Sequence, residues 1–64
     1  MNYFNMKTRH GVETVDELNE DDFGSFRDFN AECRRMSSEY HLCGMNVYLS
    51  RRCTKEWQQA TAGA

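Results

Sequence analysis

From Leu18 to Ser50 the chain reads as one long amphipathic helix with a marked start and stop, followed at once by an alternating strand. Leu18 reads as N′ and Asn19 as the N-cap. Glu20, Asp21 and Asp22 fill a first turn whose free amides and dipole favour negative charge. Phe23 then falls at N4, where it meets Leu18 as a hydrophobic staple. Phe26, Phe29, Cys33, Met36 and Tyr40 follow at three- and four-residue steps, one stripe of a helix. Gly44 ends it, because glycine takes the left-handed C′ conformation without steric cost, and His41 lies in the last turn, where the dipole favours a cation. After Gly44, Met45, Val47 and Leu49 alternate with Asn46, Tyr48 and Ser50, the period of a strand.

Asn2 to Thr8 alternates in the same way, and Val12 to Val15 continues the pattern. Arg9, His10 and Gly11 suit a three-residue hairpin loop, a register that sets Lys7 opposite Glu13. A two-residue His10-Gly11 turn would instead shift the pairing by one and reverse the faces of the second strand. Thr54 resembles the N-cap of a short closing helix through Trp57 and Gln58, and residues 60–64 carry nothing that would bind them down. The expected architecture is therefore α+β: ββαβ with a short C-terminal helix, a three-stranded antiparallel sheet in the order 2-1-3 packed on one long helix. Residues 1–59 would form a single small domain, with 60–64 as a disordered tail.

With the three-residue loop, Phe4, Met6, Val12, Met45, Val47 and Leu49 face the helix. The opposite face carries Tyr3, Asn5, Lys7, Glu13, Val15, Asn46 and Tyr48. One helix covers only one side of a sheet, so Tyr3, Val15, Asn46 and Tyr48 are the expected partner-binding residues. The alternative is that the C-terminal segment folds across and Trp57 packs onto them. In either case Met45 to Ser50, without charge or proline, lies near a sheet edge and invites pairing with a second copy or another protein.

Sixty-four residues bury only about 60% of the surface of the unfolded chain. A substrate cleft of roughly 300 to 1,000 Å³ would consume much of such a core, and no small-molecule substrate or cofactor is expected. The hydrophobic fraction of 39% still suffices for a folded core. No run of residues is apolar enough to span a bilayer, and the N-terminus lacks the basic-then-apolar pattern of a secretory signal, which points to a cytoplasmic protein. Three cysteines, Cys33, Cys43 and Cys53, are then expected as thiols. Of these and the two histidines, only His41 and Cys43 are close in sequence, so no metal site is read from the spacing.

The net charge of −2 conceals a division. Eight acids and only Arg27 lie between Glu13 and Glu32, whereas five basic residues and only Glu39 lie between Arg34 and Lys55. Arg34, Arg35, Arg51, Arg52 and Lys55 are the candidate phosphate contacts of a second reading, a nucleic-acid-binding regulator with tyrosine stacking. A pI near 5.5 weighs against it. No Gly-rich phosphate loop or nucleophile elbow is present, and Cys43 at a helix C-terminus gains no thiolate stabilisation, so no catalytic residue is assigned.

The hairpin, the capped helix, the GMNVY strand from Gly44 to Tyr48 and the SRRCTKEW segment from Ser50 to Trp57 together resemble the short accessory proteins of enterobacterial phages and prophages. The resemblance is one of style and size and transfers no functional residue. It implies a protein that binds a host or phage protein, and the leading expectation is a non-enzymatic interaction module that binds such a partner or self-associates through the third-strand edge.

Overall fold

The computed structural model describes residues 1–62. Asn2–Thr8 forms β1, Gly11–Leu18 β2, Phe26–Leu42 α1, Val47–Ser50 β3 and Lys55–Ala62 α2, with a single 3₁₀ turn at Glu20–Asp22. The sheet has the order β2-β1-β3 and both pairs are antiparallel. The α+β architecture, strand order and closing helix expected from the sequence are those the chain adopts.

The hairpin loop is one residue shorter than the three-residue loop and lies one position before the two-residue one. Thr8 pairs with Gly11 and Lys7 with Val12, so Arg9 and His10 form a two-residue turn. Gly11 takes the positive φ, 117°, and the Thr8 hydroxyl donates to the Gly11 carbonyl at 3.0 Å while accepting from the His10 N–H at 3.1 Å. The shift by one reverses the near half of β2: Val12 shares the face of Lys7, and Glu13 that of Met6. Between Phe4 and Asn5 a bulge restores the other register, since Asn5 pairs with Thr14 but Phe4 with Asp16. Val15 is the extra residue, and it packs against the core.

The long helix starts later than its acidic prelude suggested. Asn19 does cap, accepting from the Asp21 N–H at 3.1 Å, but what it caps is the 3₁₀ turn. Phe23 is extended, and α1 begins after Ser25, whose hydroxyl accepts from the Asp28 N–H at 3.2 Å. Leu18 and Phe23 both still reach the core. Phe26, in the first turn, does not: it is 68% exposed, its ring 6.3 Å from that of Phe29.

The core lies between the sheet and α1. Phe4 is wholly buried, with Phe29, Cys33 and Val47 beside it and Met6, Leu18, Phe23, Met36, Tyr40 and Met45 around them. Phe23 meets Phe29 edge-on at 5.7 Å, and Tyr40 lies 6.0 Å from Phe4. Burying each such ring stabilises by about 1.5–3 kcal/mol, so a handful of aromatic residues carries much of the fold. Thr54 caps α2 as expected, accepting from the Trp57 N–H at 3.3 Å. The helix continues through Ala60–Ala62 rather than ending before them, and the remainder of the expected tail, residues 63 and 64, lies outside the described residues. No helix is long and apolar enough to cross a membrane, among the described residues.

Candidate protein-interaction edge

Strand β3 owes its position to the way α1 stops. The Met45 N–H donates to the Tyr40 carbonyl at 2.9 Å and the Gly44 N–H to that of His41 at 3.0 Å, the paired bonds of a Schellman end. Gly44 supplies the positive φ this requires, 81°. Met45 turns back onto the core, and Asn46 is held by a 3.0 Å hydrogen bond between its Oδ1 and Nε2 of His41. The chain then runs back beside β1, with Val47 opposite Met6, Tyr48 opposite Asn5 and Leu49 opposite Phe4.

Only one side of β3 is paired, and alternate residues of a strand direct their N–H and C=O groups to each side. Leu49 lies on the helix face with Phe4 but stays 45% exposed, because no strand beyond β3 closes over it. Tyr48, on the other face, is 42% exposed. Above Leu49 runs the flank of α1. Asn30, Cys33, Arg34, Ser37, Ser38 and His41, together with Leu49, line an open groove of about 340 Å³. The other flank of α1 differs in chemistry: Asp16, Arg35, Met36, Glu39, Tyr40 and Cys43 line a groove of about 320 Å³. There the Tyr40 hydroxyl donates to Oδ2 of Asp16 at 2.6 Å, and this bond, followed by burial, pushes the phenol up to about 12.

Of the two arrangements the sequence allowed for the face away from α1, an open tyrosine surface or one crossed by the C-terminal segment, the chain takes the second. Asn5 and Thr14 are buried beneath that segment. Thr14 Oγ1 donates to Asn5 Oδ1 at 2.6 Å and accepts from the Thr54 N–H at 3.0 Å; Asn5 Nδ2 donates to the Arg52 carbonyl at 2.9 Å. The Trp57 indole N–H points to Glu17 at 3.4 Å. Of the four partner-binding residues expected there, Val15 faces the core, Asn46 is tied to His41, and Tyr3 is half-buried beside Cys53 and Glu17, its phenol pushed up by desolvation first and then by those neighbours. Tyr48 stands exposed on that face, as do Asn46, Lys7 and Val12. A space of about 520 Å³ remains between α2 and the hairpin, open at the side and lined by Thr8, His10, Glu13, Trp57 and their neighbours.

The basic residues do not gather into one patch. Arg35 binds Glu32 and Glu39 on its own helix, the latter at 2.7 Å. Arg51 lies 3.7 Å from Glu20, Arg52 holds Asn5 through its carbonyl, and Lys55 opens α2. Arg34 stands apart, on the β3 flank of α1. Cys33 is a buried core thiol, pushed up by burial and then by Glu32; Cys43 is exposed and Cys53 half-buried, and all three are free. Among the described residues no three His, Cys, Asp or Glu side chains are grouped to hold a metal.

Two features of the edge were passed over in the sequence. Asn30, Arg34, Ser37 and His41 recur at steps of four, three and four, a polar stripe directly beside Phe29, Cys33, Met36 and Tyr40. Leu49 falls on the core face of the strand alternation, although an apolar residue on the outermost strand is half-covered at best. Compared with models of protein families, with curated proteins and with solved structures, the chain matches none.

Proposed function

We propose that this chain is a small non-enzymatic interaction protein that binds a partner protein along the free edge of β3. The observation that carries this reading is the edge itself: Val47–Ser50 is uncharged and unpaired on one side, with Tyr48 and Leu49 exposed on its two faces. The opposite sheet edge is β2, where Glu13, Asp16 and Glu17 and the bulge at Val15 oppose strand addition. A strand added to β3 gains main-chain hydrogen bonds for affinity and side-chain contacts at Tyr48 and Leu49 for selectivity. The resemblance to short phage accessory proteins adds the expectation that the partner is a host or phage protein.

The test is site-directed photo-crosslinking in cell extract, with the reactive residue placed at Tyr48 or, as control, at Val12 on the β2 side. Adducts from position 48 that disappear on Leu49→Lys support the reading, and light scattering on the purified chain tells whether the partner is a second copy. A strict monomer that yields no adduct from position 48, or equal adducts from position 12, sinks it.

A further inference from the structure

The groove between β3 and α1 does not suit every extended chain equally. A strand added outside β3 lies directly beneath the helix flank, because Leu49 on the sheet and Arg34, Ser37, Ser38 and His41 on the helix line one continuous groove. Its lining includes Arg34 and His41 and no carboxylate. Arg34 makes no ion pair, among the described residues, unlike Arg35 one position on, which is held between two glutamates. Arg51 and Arg52 follow where β3 ends, and both are exposed. In a chain with a net charge of −2, the unpaired Arg34 thus overhangs the β3 edge, with Arg52 and the Glu20-paired Arg51 at the strand's end, while carboxylates collect along the β2 edge. Serine and asparagine side chains in the same groove supply hydrogen-bond donors suited to carboxylate oxygens.

Taking the edge reading as its basis, we infer that the partner segment is an extended peptide bearing Asp or Glu on the face turned toward α1. It adds to β3 as a fourth strand, its main chain paired with the outer groups of Val47–Ser50. Its carboxylates meet Arg34, while its apolar residues cover the exposed side of Leu49. Arg34 acts as a specificity-determining residue in this arrangement: the backbone ladder accepts any sequence, and the cation on the overhanging flank selects acidic ones.

The probe is a fluorescein-labelled peptide of alternating Val and Glu, compared with its Val/Thr and Val/Lys counterparts by anisotropy, with amide shifts of the protein recorded alongside. The Val/Glu peptide should bind most tightly and shift the amides of β3, and its affinity should fall as salt rises. Arg34→Glu, an exposed change that leaves the far-ultraviolet circular dichroism unaltered, should weaken Val/Glu binding by roughly fivefold or more while leaving Val/Thr binding as it was. Equal binding of Val/Glu and Val/Thr with shifts on β3 overturns the acidic selectivity but leaves the edge reading standing. No β3 shifts with any peptide, shifts confined to β2, or a β3 edge already occupied by a second copy overturn the inference altogether.

Discussion

The hydroxyl of Thr14 and the side-chain amide of Asn5, 2.6 Å apart, form the link by which the C-terminal segment is fastened to the sheet. Each also holds one backbone group of that segment: Thr14 the N–H of Thr54, Asn5 the carbonyl of Arg52. Both are buried, and buried polar groups are costly when left without partners.

Thr14→Val leaves Asn5 Oδ1 and the Thr54 N–H without their partner and should lower stability by about 1–3 kcal/mol in urea denaturation. The loss should be local as well as global, with faster amide exchange through Lys55–Ala62. Pairing Thr14→Val with Asn5→Leu should cost less than the sum of the two single changes, since the double variant removes both ends of the link. Additive losses with unchanged exchange in α2 would show that the link does not hold the helix.

Tyr40 provides a pH signature. Its hydrogen bond to Asp16, with burial second, raises the phenol from 10.0 to about 12, so the folded protein holds this proton more tightly than the unfolded chain. That contribution is complete below pH 10 and is lost as pH rises toward 12. Tyr40→Phe should cost about 1–2 kcal/mol at neutral pH, and the gap between the two proteins should close across that alkaline window. Denaturation curves at a series of pH values check this; parallel losses in both proteins refute it.

Two glycines with equal space around them should respond differently to alanine. A Cβ at Gly44 or at Gly24 meets no atom within 4 Å, but only Gly44 has a positive φ, 81°. Gly44→Ala should cost about 1 kcal/mol from backbone conformation alone. Gly24→Ala should be neutral or stabilise by up to about 1 kcal/mol through the unfolded state. Thermal melts of the pair decide it.

Ser25→Ala should destabilise by about 1 kcal/mol, because it strips the cap from a helix of seventeen residues. Asn19→Ala should do less, as its cap serves one 3₁₀ turn of three residues. The reverse order, read from helical circular dichroism on heating, would mean that the acidic prelude belongs to the helix after all.

These variants also mark where sequence reasoning held. The alternation of Asn2–Thr8 and Val47–Ser50 and the stop at Gly44 were legible because each depends on short-range sterics and on the period of its own element. The start of α1 was legible too, though overlooked: Ser25 with Asp28 three residues on is a capping pattern as strong as Asn19 with Asp22, and Gly24 between them marks a break. The bulge at Val15 was not. The three-residue-loop register holds only beyond the bulge, from Phe4–Asp16 to Asn2–Leu18, while on the turn side the pairing is one residue tighter than that and matches neither register read from the alternation. For the candidate site, the uncharged β3 edge could be read directly, and so could the sorting of Arg34 from Arg35, since only Arg35 has carboxylates three and four positions away, whereas the choice of whether the C-terminal segment covers Tyr3 could not.

What the sequence determined by itself is the set of elements, their order and the face of α1 that is apolar, since these follow from spacing along the chain. Only the tertiary structure decided which sheet surfaces stay exposed. That outcome turns on Asn5 and Thr14, polar residues in a strand pattern, meeting two backbone groups forty and more positions away. Contacts at such separation form when buried polar groups must find partners, a condition that exists only once the layers have packed.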